Sequence, residues 1–145
     1  MANNYSESSF IVPFTEANTE TVKEWHKRYL DECDRLLGIS GEGNCDEYDD
    51  KVPGLEIEVG TGEVWFSGDG EYFNVTAAIF WVKSLLEATK CDNGVFFSWA
   101  DWCSKSRVGE FGGGACVVTR TETIMQYPSD LLREAAEAGI EIGNV

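Results

Sequence analysis

Apolar residues three and four positions apart dominate the first third of the chain. Val22, Trp25, Tyr29, Cys33 and Leu36 recur at this spacing, and Leu30 and Leu37 widen the stripe. This is the signature of an amphipathic helix. Thr15 or Thr19 suits its N-cap, and Gly38 suits the position just past its end. Ahead of it, Ser9 to Phe14 reads as a short strand, with Pro13 marking an edge. Beyond it the period changes to two. Leu55, Ile57 and Val59 alternate with Glu56 and Glu58, the pattern of a half-buried strand. Gly60-Thr61-Gly62 turns the chain, residues 63–67 return as a second strand, and Asp69-Gly70 ends the hairpin.

A second helix is predicted over residues 72–89. Val75, Ile79, Val82 and Leu86 share one face, Phe80 and Leu85 flank it, and Phe73, Ala78 and Trp81 extend it round the circumference. Such a helix belongs at the centre of the core. Asp92-Asn93-Gly94 is a turn signal. Residues 95–102 then form an aromatic-rich strand, 115–119 and 123–127 two more. Pro128-Ser129-Asp130 opens a last helix with Ser129 as N-cap, and Gly139 closes it. The order β-α-β-β-α-β-β-β-α predicts an α+β fold: one antiparallel sheet of about six strands with helices mainly on one face. One domain spanning residues 1–145 accommodates all of it. Two glycine-rich stretches interrupt the pattern, an acidic loop at 38–54 and a hairpin loop at 103–114.

Composition narrows the function classes. Hydrophobic residues make up 43% of the chain, enough for a packed core without disulfide or metal. The formal net charge is −15, so the chain repels nucleic acid and attracts basic surfaces. The five cysteines, at 33, 45, 91, 103 and 116, are odd in number and form no CxxC or zinc pattern. Reduced thiols in a cytoplasm are expected, with no cofactor and no metal. Residues 1–9 are polar without a cationic segment, so no secretory leader is expected. No apolar run approaches the length of a membrane span, and no membrane partner is expected.

Catalytic sets are sparse. The single histidine, His26, stands among Trp25, Lys27 and Arg28 on the first helix. Nothing in the spacing brings Cys103 or Cys116 to it as a nucleophile–base pair. Glu56 and Glu58 read as the solvated face of an amphipathic strand. The acids Glu42, Asp46, Glu47, Asp49 and Asp50 lack the order of a calcium loop. The chain is therefore expected to be non-catalytic.

The stretch from Trp99 to Gly114 is the least ordinary. Lys105 and Arg107 supply positive charge in an acidic protein, Ser104 and Ser106 supply hydroxyls, and Gly112, Gly113 and Gly114 supply free amides. Together these suit a phosphate or carboxylate, with Trp99 or Trp102 stacking on an attached base. The same residues also suit a long hairpin connection with solvated charges. No Walker-type Gly-Lys-Ser/Thr precedes a helix, and no GxGxxG opens one.

Trp99-Ala100, Cys103-Ser104-Lys105, Arg107, Gly109-Glu110-Phe111-Gly112-Gly113-Gly114-Ala115 and Val118-Thr119 resemble a family of small acidic proteins from phages, plasmids and other mobile elements. The family pattern runs Thr-Cys-Ser-Lys-Pro-Arg-x-Gly-Glu-Phe-Gly-Gly-Gly-Ala; here Trp102 replaces the threonine and Ser106 the proline. The likeness spans residues 55–135 and is strongest in the loop. It implies a mobile-element accessory protein in a host bacterial cytoplasm and brings no catalytic residue.

Two functions follow as expectations. The first is a counter-defence inhibitor of anti-CRISPR or anti-restriction type, imitating nucleic-acid charge against a basic host protein. Glu42, Asp46, Glu47, Asp49, Asp50, Glu56, Glu58 and Asp69 would form its surface. The second is a binder that sequesters a phosphate-containing signal, such as a nucleotide. It would use Ser104, Lys105, Arg107, Gly112, Gly113, Gly114, Trp99 and Trp102. Edge strands and exposed aromatics also suit a homodimer.

Overall fold

A computed structural model describes residues 4–40, 53–68, 70, 72–103 and 112–140. Strand β1 (Asn4–Glu7) and strand β2 (Ser9–Pro13) come first, then a short 3-10 turn (Glu16–Asn18) and helix α1 (Thr19–Ser40). Strands β3 (Glu56–Val59) and β4 (Glu63–Ser67) form a hairpin ahead of helix α2 (Val75–Thr89). Strands β5 (Val95–Cys103), β6 (Gly112–Val118) and β7 (Thr123–Gln126) precede helix α3 (Pro128–Glu137). The class is α+β with antiparallel pairing throughout.

The strands divide differently from the sequence expectation of a single sheet. They form a four-stranded sheet, β1-β5-β6-β7, and a three-stranded sheet, β2-β4-β3. The N-terminal segment joins the two. Its first half pairs with β5, from Asn4↔Cys103 to Glu7↔Ala100, and its second half with β4, from Ser9↔Ser67 to Pro13↔Glu63. Ser8 is the crossing point. Its hydroxyl donates to the Ser98 carbonyl (2.6 Å), and its carbonyl accepts from Gly68 N–H (3.3 Å). Strand β1 was not anticipated because Asn-Tyr-Ser-Glu lacks apolar alternation; its order comes from the β5 edge and from Tyr5 stacked on Trp102.

Phe10 closes the seam. Its ring lies parallel to Phe66 of β4 (4.8 Å) and to Phe97 of β5 (4.4 Å). The inner faces of the two sheets are therefore one continuous surface. Helices α1 and α2 pack on that surface through Trp25, Tyr29 and Trp81, with Trp25 against Phe66, and Phe73, just ahead of α2, meets Phe97. The α1 stripe is as the spacing predicted: Val22, Trp25, Tyr29 and Leu36 are buried and Cys33 is half-buried. Leu30 and Phe80 are corrections. Both stand exposed, because α1 and α2 each turn a narrower stripe inward than hydrophobicity alone suggests.

The helix boundaries also shift. Helix α1 continues through Gly38 to Ser40, since glycine is a tolerated, if costly, helical residue. Helix α2 starts at Val75. Asn74 caps it by accepting from Ala77 N–H (3.0 Å), and Asn74 N–H in turn donates to Gly54 O (3.0 Å). Helix α3 takes Tyr127 rather than Ser129 as N-cap. Pro128 fills the first helical position, and the Asp130 carboxylate accepts from Tyr127 N–H (3.0 Å).

Candidate interaction surface

Alternation along the strands sends every second side chain away from the helices. On the three-stranded sheet these outward residues are Ser9, Ile11 and Pro13 of β2, Glu63, Trp65 and Ser67 of β4, and Glu56 and Glu58 of β3. Ile11, Trp65 and Glu58 form one cross-strand row. Trp65 is 46% exposed and Ile11 42%, although both lie mid-strand. Among the described residues no helix covers this face. Glu56 and Glu58 stand exposed on an edge strand without an ion-pair partner among the described residues. A half-exposed indole thus lies between the Ile11 side chain on one side and the Glu58 carboxylate on the other.

The outer face of the four-stranded sheet also carries exposed apolar residues. Phe96, Val117 and Ile124 form a cross-strand row there, with Phe96 64% and Ile124 62% exposed. At the other end of β5, Tyr5 stacks on Trp102 with centroids 4.3 Å apart. The inner face of β5 carries Phe97 and Trp99, both buried.

Of the residues expected to hold a phosphate, Ser104, Lys105 and Arg107 lie outside the described residues. Gly112, Gly113 and Gly114 are described, and they belong to strand β6 rather than to a loop. They pair with Asp101, Ala100 and Trp99 respectively. Their small size has a packing cause. A Cβ on Gly114 would come within 2.6 Å of the Trp99 ring, and one on Gly113 would collide with the Trp99 carbonyl. Gly113 also has φ +131°, a conformation that strongly favours glycine. Trp99 fills the core and meets Tyr127 edge-on (5.9 Å); Trp102 is half-buried against Tyr5. Sequence reasoning missed this pairing because register is invisible in a single chain.

Of the residues expected to meet a basic partner, Glu42, Asp46, Glu47, Asp49, Asp50 and Asp69 lie outside the described residues. Glu56 and Glu58 are described and lie side by side on the outer face of β3. The carrier of the apolar contribution there, Trp65, was not singled out from sequence. The signal was present: Trp65 falls on the outward phase of the alternation Val64-Trp65-Phe66.

A groove of about 480 Å³ opens at the seam between the sheets, lined by Ser6, Ser8, Ser9, Ser67, Ser98 and the Gly68 backbone among others. Two of its hydroxyls already serve the fold, Ser8 as above and Ser6 by accepting from Phe73 N–H (2.8 Å). His26 Nε2 lies 2.9 Å from Ile57 O, joining α1 to β3. Burial pushes the Cys116 thiol up to about 11 and raises that of Cys33. It also raises the Tyr29 phenol, whose hydroxyl donates to Leu55 O (2.6 Å). Arg120 clamps Glu87 through two nitrogens (3.1 and 3.2 Å) and reaches Asp92 (3.0 Å). That clamp holds the Glu87 carboxyl below its ordinary value. Among the described residues no group of His, Cys, Asp and Glu could hold a metal ion, and no helix is long and apolar enough to cross a membrane. No family model, curated protein or solved structure matches the chain.

Proposed function

We propose that the chain is a non-catalytic binding protein that presents the outer face of β2, β4 and β3 to a basic partner protein. The observation that carries this reading is the row Ile11–Trp65–Glu58, an exposed aromatic set between an isoleucine and a carboxylate that has no ion-pair partner among the described residues, on a face that no described helix covers. A large ring gives a partner apolar area to bury, and carboxylates around it supply steering and register. The sequence concentrates acidic charge in the stretch that contains β3 and β4. Between Gly41 and Tyr72 the chain carries ten acidic residues and one basic residue.

Charge of this density competes for the channels that hold nucleic acid. With the resemblance to mobile-element proteins, it points to a host defence protein of anti-CRISPR or anti-restriction relevance as the partner. The test is capture from host-cell extract on the immobilised chain, with three variants in parallel: Glu56→Gln/Glu58→Gln, Trp65→Ala, and neutralisation of the 42–50 acids. The reading expects a basic protein retained at low salt, displaced by double-stranded DNA, and lost from the variants. A protein retained equally by all variants and insensitive to salt and DNA would refute it.

A further inference from the structure

The two ends of the fold treat their strand edges in opposite ways. Strand β3, the edge of the three-stranded sheet, carries Glu56 and Glu58. Charges on an edge are the usual guard against pairing with another chain. Strand β7, at the edge of the four-stranded sheet, reads Thr123-Ile124-Met125-Gln126 and has no charge, no proline and no bulge.

Among the described residues no strand pairs with the outer edge of β7. Thr119 N–H donates to Glu122 O (2.9 Å) at the turn, which fixes the alternation of the ladder. Counting from it, Ile124 and Gln126 bond to β6, whereas Thr123 and Met125 direct their N–H and C=O outward. Apolar side chains flank the edge on both faces. Ile124 continues the Phe96–Val117 row on the outer face, and Met125 is exposed on the other. Tyr127 and Leu131, the next exposed apolar residues, follow directly in sequence.

We propose that β7 pairs antiparallel with β7 of a second copy of this chain, about a two-fold axis through Ile124. Three observations select a second copy over another protein's strand. The outward-facing residues Thr123 and Met125 are symmetric about Ile124, so each meets the other's counterpart as a hydrogen-bonded pair. Ile124 then faces Ile124 of the second copy in the close, non-hydrogen-bonded position. This makes one unbroken apolar row from Phe96 to the second copy's Phe96. Finally, a chain of net charge −15 repels itself wherever its acids face each other, and β7 is an uncharged edge. The joined sheet would run from the β1 of one copy to the β1 of the other, and the acidic β3 edge of each copy lies in its separate three-stranded sheet.

Sedimentation equilibrium of the full chain over a concentration series tests this, at low and at moderate salt. The expected result is a dimer that strengthens as salt screens the repulsion. Ile124→Lys is expected to raise the dissociation constant at least tenfold. Met125→Pro removes an outward N–H that β6 does not use, and is expected to abolish the dimer while circular dichroism and melting stay native. A monomer at every concentration and salt overturns the proposal, and so does a dimer that both folded variants retain.

Discussion

The Trp99 indole occupies the space where a side chain on Gly114, its cross-strand partner, would begin. Gly114→Ala is therefore expected to destabilise the fold by about 1–3 kcal/mol through overpacking. The same substitution in a Trp99→Leu background should cost measurably less. Urea unfolding of the four proteins in this cycle reads the coupling directly. Equal costs in both backgrounds would mean that the ring is not what excludes the methyl group.

Phe10 holds together two sheets that no regular ladder joins. Its ring stacks on Phe66 and Phe97 at nearly parallel angles, 3° and 4°. Phe10→Ala should cost about 3 kcal/mol in urea unfolding, and Phe10→Leu clearly less. Hydrogen exchange should rise at the Ser8 crossing in both. Exchange that rises only at the helix termini would contradict the seam assignment.

These two residues mark where the sequence was legible and where it was not. Periodicity identified α1, α2 and the strands β3 to β6, because each buries one face and the spacing reports it; β7 was identified by its β-forming residues although none of them is buried. Periodicity placed Leu55 and Ile57 inside and Glu56 and Glu58 outside, as observed. Strand β1 was illegible because its order comes from β5 rather than from its own residues. The three glycines read as a loop because glycine marks both turns and close approach. Only register, with Trp99 opposite Gly114, separates the two. Trp65 lay on a legible phase, yet an aromatic in a strand reads first as core.

Cys116 should be an inert thiol in the folded state. Burial raises its titration to about 11 from an ordinary 9.0. A raised value means that the unfolded chain ionises first. Its contribution to stability is thus intact below pH 9 and is lost as the pH climbs toward 11. Alkylation at pH 8 should label Cys116 only after denaturant is added, and Cys116→Ser should flatten the alkaline fall in stability. Rapid labelling of the native protein at Cys116 would contradict its burial.

The Arg120 clamp makes an acid-side prediction. Glu87 titrates below its ordinary 4.5 because Arg120 favours the carboxylate. Its contribution is present above that value and is lost as the pH falls through the lowered one. Side-chain NMR titration should show the Glu87 carboxyl moving up toward 4.5 in Arg120→Gln. An unchanged midpoint would remove the arginine as the cause.

The outer face of β2, β4 and β3 is the surface proposed to meet a partner. Its most direct test is the affinity of the captured basic protein for wild type, Trp65→Ala and Glu56→Gln/Glu58→Gln across a salt series. The expected result is at least a tenfold loss for Trp65→Ala at every salt, the size typical of an aromatic anchor. The double glutamine variant should show a shallower fall of affinity with salt. Identical affinities and identical salt dependence in all three proteins would place the contact elsewhere on the molecule and contradict the account.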